Sequence, residues 1–285
     1  MKFLIMGAGG MAGHVISTYL SECGHDVLGF DRKQVSHCTT ITNDVCNTSL
    51  IKEIIVNGNY DAIINCIGIL NQFAEKNKAI AVYLNSYLPH LLADITKNMN
   101  TKVIHMSTDC VFSGEKGSYT EDDFPDGRTF YDRTKALGEL IDDKNITMRN
   151  SIVGPDINEK GIGLLNWFMT QTEKIVKGYK NVKWTGITTL ELAKAMEYAA
   201  SAKVSGIYNM VYSESISKYD LLNLFNKHIM NNKYEIEPWL EPVLDKSLKR
   251  TRYELGYLIP SYEVMIIEMA HWMKRHKQYY PHYFL

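Results

Sequence analysis

The sequence predicts a doubly wound, Rossmann-like parallel α/β sheet with a smaller, interleaved C-terminal substrate lobe. Three observations carry this. Short apolar runs at 2–6, 26–30, 61–65, 102–106 and 146–150 alternate with amphipathic helical stretches near 10–23, 79–98 and 129–143, the alternation of a parallel sheet covered on both faces. The first run passes directly into Gly7-Ala8-Gly9-Gly10-Met11-Ala12-Gly13. The regular alternation fades after about residue 150. The expected division is 1–150 as a dinucleotide-binding unit and 151–285 as mainly a substrate lobe, with an interleaved boundary.

Strand, glycine loop and helix is the setting a dinucleotide fingerprint needs. Gly7 permits the tight turn, Gly10 admits a pyrophosphate close to the backbone, and Gly13 lets helix and strand pack. Met11 and Ala12 open a helix whose N-terminus offers free N–H groups and a positive dipole end to phosphates. The second strand ends in Asp31-Arg32-Lys33. An acid there binds adenosine ribose hydroxyls, as in NAD(H), whereas an arginine accepts the 2′-phosphate of NADP(H). Arg32 with Lys33 favours NADP(H); NAD(H) stays the alternative. A short Thr-rich strand leads to Asp44-Val45, and the third apolar run ends in Asn65-Cys66-Ile67-Gly68.

The chemistry is predicted from Ser107-Thr108-Asp109 and Tyr131-Asp132-Arg133-Thr134-Lys135. A Tyr and a Lys four apart on a helix share a face. The ammonium of Lys135 is expected to favour the phenolate and lower the Tyr131 pKa toward neutrality. The Thr108 hydroxyl is expected to share a substrate carbonyl oxygen with that phenol. Such a trio moves one proton while a hydride moves.

These segments together resemble the extended short-chain dehydrogenase/reductases and, within them, the dTDP-4-dehydrorhamnose reductase family. Met106-Ser107-Thr108-Asp109-Cys110-Val111-Phe112-Ser113-Gly114 resembles that family's STDYVFDG segment. Tyr119-Thr120-Glu121-Asp122-Asp123 resembles its Y-x-E-x-D loop, and Thr134-Lys135-Ala136-Leu137-Gly138-Glu139 its T-K-x-x-G-E helix. The resemblance is clear over roughly residues 1 to 200. It implies an NAD(P)H-dependent reduction of a 4-keto group on a nucleotide-linked deoxy sugar, for polysaccharide precursors. It implies catalysis by Thr108, Tyr131 and Lys135, with Tyr131 and Lys135 also touching the cofactor. Asp44 and Val45, Cys66 to Gly68, and Asn85 would meet the cofactor. Asp109, Cys110, Val111, Phe112, Asn150 and Ile152 would lie near the substrate. Cys110 replaces the family's usual Tyr, and Arg149-Asn150-Ser151-Ile152 replaces R-T-x-W, so the sugar pocket is expected to differ. Rival readings are a sugar-nucleotide dehydratase, disfavoured because Cys110 stands where a Glu is typical, an epimerase, and a non-catalytic NADP(H)-binding regulatory subunit.

Charged residues make up 22% of the 285 residues, the formal net charge is −1, and the pI is near 6.8. Nothing in that balance calls for nucleic acid or a membrane surface. No apolar stretch approaches a membrane span, and five scattered cysteines without a CxxC pair suit a reducing cytoplasm and no metal site. The oligomeric state stays open, a homodimer included.

In the second half, Gly161-Ile162-Gly163 reads as a loop feeding a helix, Thr188 with Glu191 as a capping box, Ser217 as a helix start and Pro260 to Lys274 as the last helix. His271 and His276 read as surface residues. The tail from Lys274 to Leu285 reads as a packed helix end with an aromatic anchor. Lys246, Lys249, Arg250 and Arg252 form a basic group that either meets a diphosphate or is solvated.

Overall fold

The computed structural model describes residues 1–283; Phe284 and Leu285, at the end of the aromatic tail, lie outside the described residues. β1 (Lys2–Met6), α1 (Met11–Glu22), β2 (Asp26–Asp31), β3 (Thr39–Thr42), α2 (Thr48–Gly58) and β4 (Ala62–Asn65) open the chain. α3 (Leu88–Thr96), β5 (Lys102–Thr108), α4 (Phe130–Leu137) and β6 (Ile146–Asn150) follow. α5 (Leu164–Met169), α6 (Thr189–Ser201), β7 (Gly206–Asn209), α7 (Lys218–His228) and α8 (Tyr262–Arg275) complete the main elements.

The central sheet has seven strands in the order β7-β6-β5-β4-β1-β2-β3, all paired in parallel. Strand order reverses between β1 and β4, and that switch point opens the crevice in which such sheets bind ligands. The central strands are apolar throughout, as burial on both faces requires: Phe3 to Met6 and Ala62 to Ile64 are buried. α1 and α6 cover one face, and the helix ending in α3 covers the other.

Gly206–Asn209 supplies the seventh strand from the second half of the chain, and one apolar cluster runs from Phe3 and Ile5 to Trp272 and Tyr280. The two halves therefore share a core. The lobe over the crevice carries only small sheets: Val182–Trp184 pairs with Ile216–Ser217 on one side and Leu244–Asp245 on the other, and Ile175–Tyr179 pairs with Glu235–Trp239.

Several local expectations change. α2 was not anticipated. The stretch expected as one helix at 79–98 contains a π-helical turn, Val82–Tyr87, before α3. The helix expected over 129–143 stops at Leu137, and the next position is glycine where a Cβ would lie 1.8 Å from the Asn85 carbonyl oxygen. Thr129 and Asp132 cap its start reciprocally. Thr188 accepts from the Glu191 amide at 3.1 Å, but the Glu191 carboxylate bonds the Tyr257 hydroxyl at 2.7 Å, so only half of that capping box forms. His276 is not a surface residue: it is 4% exposed and lies against Glu22 at 2.6 Å. Among the described residues no helix is long and apolar enough to cross a membrane, and no group of His, Cys, Asp or Glu gathers as a metal site.

Candidate active site

A cleft of about 920 Å³ opens at the switch point. Its floor and near wall are Gly10 to Gly13, Cys66 to Gly68, Met106 to Cys110, Tyr131 and Lys135. Each group follows or flanks the carboxyl end of β1, β4 or β5, so the topology delivers them together. Gly7 shapes the loop from beneath: its φ of +82° is one that L side chains rarely adopt, and its N–H donates to the Phe30 carbonyl at 2.8 Å. A Cβ on Gly13 would sit 2.0 Å from the Gly7 carbonyl oxygen, so Gly13 is needed for helix–strand contact. A Cβ on Gly10 would meet only that oxygen, at 3.4 Å. Gly10 caps α1 with no side-chain hydrogen bond, so the first N–H groups of the helix are left for another partner.

Beside Tyr131, Thr108 Oγ1 accepts from the Cys110 amide and donates to Asp109 Oδ1, both at 3.1 Å. The expectation for Tyr131 is corrected. Its pKa is raised, not lowered, because burial disfavours the phenolate. Lys135 does not offset this. Its Nζ donates to the Met106 carbonyl at 2.6 Å, and burial pulls its own pKa down to about 8.

His105 lies beneath Lys135. Asn65 Oδ1 accepts from the Ile67 amide at 3.1 Å, which turns Asn65 Nδ2 toward His105 Nδ1, also at 3.1 Å. The neutral imidazole, held neutral by burial and by Lys135, then carries its proton on Nε2, 3.4 Å from Lys135 Nζ. An ammonium cannot accept that N–H, so the contact disfavours the charged form of Lys135, in the same direction as its depressed pKa. Asp109 is pushed up by burial against the pull of Thr108, Lys246 and Lys218. Cys66 and Cys110 are pushed up to about 12 by burial and remain thiols.

Several predicted residues stand elsewhere. Asn85 is fully buried; it accepts from the Ile69 amide at 2.9 Å and donates to the Ile69 carbonyl and Thr134 Oγ1. It pins the loop after β4 to α4 and does not line the cleft. Val111 and Phe112 are fully buried, and Phe112 stacks on Tyr119 with centroids 4.2 Å apart; they are core residues, not substrate contacts. Val45 is buried with its carbonyl accepting from Tyr83, and Asp44 is exposed, accepting from the Cys46 amide. Asp31 and Arg32 lie beyond the cleft at the end of β2, where Asp31 Oδ2 accepts from the Gly9 amide at 2.8 Å and Arg32 is exposed. Asn150 and Ile152 do line the cleft, and Asn150 Nδ2 is buried without a partner among the described residues. Of the basic group, Arg250 bonds the Arg252 and Tyr257 carbonyls, Arg252 pairs with Asp122, and neither lines the cleft.

Glu139 and Glu121 brace this floor. Arg149 makes two 2.7 Å bonds to Glu139, which also accepts from Ser107 at 2.7 Å. Glu121 accepts from the Asn209 and Thr251 amides.

The far wall holds residues the sequence reading did not place at the site: Asp156, Gly161 to Leu164, Trp167, Trp184 and Lys218. Paired glycines ahead of an aromatic helix start were the available signal. A second cavity of about 480 Å³ adjoins it, sharing Leu164, Trp167 and Lys218 and adding Lys177, Tyr179 and Trp239. Lys177 Nζ stands 3.9 Å from the centre of the Trp239 ring.

The family profile described as RmlD substrate binding domain matches residues 1–153. A probable low-salt glycan biosynthesis reductase, Agl14, of Haloferax volcanii is 32% identical over 143 residues, 49% of this chain and 48% of that protein. The dTDP-4-dehydrorhamnose reductase of Mycobacterium tuberculosis is 30% identical over 146 residues, 48% of this chain and 44% of that protein. The chain thus spans a little under half the length of these relatives. A solved structure from Clostridium acetobutylicum, described as a dTDP-4-dehydrorhamnose reductase, shares the fold at a TM-score of 0.80, with 21% identity over 96% of this chain and 100% of that one. The chain carries the glycine loop, the Thr108, Tyr131 and Lys135 floor and the seven-stranded sheet within or around the matched residues, and it belongs to the RmlD substrate binding domain family.

Proposed function

We propose that this protein reduces a ketone on a nucleotide-linked deoxy sugar, with a nicotinamide dinucleotide as co-substrate, in the making of a glycan precursor. One observation carries the reading: Thr108, Tyr131 and Lys135 converge on a cleft whose floor is an uncapped helix N-terminus. The residues fit a dinucleotide, because Gly10 keeps space at the loop that a side chain would fill and α1 leaves N–H groups for a pyrophosphate. Gly10 to Gly13 would hold the diphosphate, and Lys135 a ribose hydroxyl. Bound there, the dinucleotide supplies a hydride to the ketone carbon.

Tyr131 gives its proton to the ketone oxygen as general acid. The raised phenol pKa suits this role, since the phenol stays protonated at neutral pH. Thr108 donates to the same oxygen and stabilises its developing charge. This requires its hydroxyl to turn away from Asp109, whose charged form burial already disfavours. The nucleoside would lie toward the second cavity, where Trp167, Tyr179 and Trp239 offer stacking faces and Lys177 and Lys218 offer charge. The names of the Haloferax and Mycobacterium relatives support the reaction class. NADP(H) is favoured, because Asp31 already accepts from Gly9 while Arg32 is exposed beside it. Cys110 and Ile152 on the cleft favour a sugar other than, or broader than, the dTDP-rhamnose precursor.

The test is oxidation of NADPH and NADH, followed at the nicotinamide band, with 4-keto sugar nucleotides that vary in nucleotide and C2 substituent. Turnover of at least one is expected. Dinucleotide binding without turnover of any would replace the reading with a non-catalytic binding subunit. Strict preference for the dTDP-rhamnose precursor would remove the significance given to Cys110 and Ile152.

A further inference from the structure

The two walls of the cleft are tied together from outside it by one turn of chain. Tyr280 and Tyr283 are 1% and 6% exposed, their rings stack at 5.8 Å, and the Tyr283 amide donates to the Tyr280 carbonyl at 3.0 Å. Tyr280 reaches the glycine loop. Its hydroxyl is 2.9 Å from His14 Nε2 and accepts from Trp272 Nε1 at 3.3 Å, and His14 Nδ1 is 3.0 Å from the Gly10 carbonyl oxygen. The direction of this chain is fixed. A carbonyl can only accept, so Nδ1 carries the proton. His14 is fully buried and neutral, its pKa drawn down to about 4 by burial, so Nε2 accepts and Tyr280 donates to it.

Tyr283 reaches the opposite wall. Its hydroxyl donates to Asn166 Oδ1 at 2.5 Å and accepts from the Asp156 amide at 3.1 Å. Asn166 Nδ2 in turn donates to the Glu159 and Gly161 carbonyls at 3.0 and 2.7 Å. The walls nearly touch where a Cβ on Gly163 would stand 2.9 Å from Met11 Sδ. Nothing in the chemistry assigned to Thr108, Tyr131 and Lys135 uses these groups.

We propose that the Tyr280–Tyr283 turn is a strap that sets the register of the glycine loop against the Asp156–Gly163 loop, with Tyr280 and Tyr283 as positioning residues for the two ligands that meet in the cleft. Each tyrosine holds one wall, and their shared turn keeps the gap constant.

Amide hydrogen exchange on the ligand-free protein tests the strap without relying on the proposed reaction. In Tyr283→Phe the Asp156 amide loses its acceptor, and exchange across 156–163 is expected to rise about tenfold or more, with 10–14 unchanged. In Tyr280→Phe the rise is expected at 10–14 and not at 156–163. Unchanged exchange at both walls in folded variants, or an equal rise over the whole chain, would overturn the strap. Should Tyr280→Phe not fold, the Tyr283→Phe result decides by the same criteria. A second readout rests on the reductase reading. Tyr280→Phe is expected to raise the NADPH dissociation constant about tenfold. Tyr283→Phe is expected to raise KM for the keto sugar by a similar factor with kcat within twofold. Equal loss of both ligands in both variants marks general loosening and counts against the strap. A wild-type protein that binds no dinucleotide would defeat the reductase reading and leave the exchange pattern to judge the strap.

Discussion

On the near side of the cleft, the contributing residues stand within a few positions of a strand end or on the single helix α4. On the far side, Asp156 and Gly163 come from loops, Trp167 from the short helix α5, Trp184 from a strand end and Lys218 from the start of α7. The near side inherits its geometry from the sheet, whose parallel pairing fixes where β1, β4 and β5 end relative to one another. The far side lies outside that sheet, and its 156–167 stretch depends on side-chain ties such as Asn166 to Glu159 and Gly161. One wall is thus set by backbone topology and the other by replaceable contacts, so changes of ligand preference should concentrate in the second.

The largest effect that would sharpen this contrast is Tyr131→Phe, which removes only the proton source from the near wall. Reductive turnover is expected to fall by about 10²–10⁴-fold with dinucleotide affinity retained; near-full activity would place the proton donor elsewhere. Next come two glycines of one loop. Gly13→Ala drives a Cβ into the Gly7 carbonyl, so its melting temperature should drop by several degrees. Gly10 has an extended backbone that valine accepts, so Gly10→Val should melt near wild type and lose NADPH binding in calorimetry. The reverse pattern would break the assignment of framework to one and ligand approach to the other.

Trp167→Ala acts on the far wall alone. KM for the sugar nucleotide should rise about tenfold, as loss of one stacking face costs about 1–3 kcal/mol, while the NADPH dissociation constant stays put. A loss confined to NADPH would show that the walls had been assigned the wrong ligands. The smallest effect is in pH. Lys135 is charged below about 8 and neutral above it. If the ammonium is the working form, the reductive rate should decline as pH rises through about 8, and Lys135→Met should be slow at every pH without that limb. A limb that persists in Lys135→Met belongs to another group.

Glycines at 7, 10 and 13, and the Tyr131 and Lys135 pair, were legible because each encodes a local geometry that tertiary packing leaves intact. The same reasoning misplaced Val111 and Phe112, since a motif says which residues occur together and not which way each faces. Here Asp109–Val111 forms a 3₁₀ turn that leaves Asp109 and Cys110 at the cleft and turns Val111 and Phe112 into the core. Asn85 was misread for a related reason: a buried amide bonding a neighbouring loop looks, in sequence, like one bonding a ligand. The direction of the Tyr131 shift was missed because helix spacing reports the neighbouring charge but not the burial that outweighs it. Trp184 and Lys218 carry no sequence signal at all, because only the fold brings them to the cleft.

The seventh strand has a consequence for how the chain is made. β6 is fully buried, Ile146 and Met148 included, and its outer edge is covered only by Gly206–Asn209, some sixty residues later. Until the ribosome has released that segment, a nascent chain that has already formed β1 to β6 exposes an apolar strand edge, the kind of surface that recruits other unfinished chains. A chain truncated after residue 150 is therefore expected to aggregate more readily than one truncated after residue 209, and equal behaviour in a sedimentation assay would remove this role from the seventh strand.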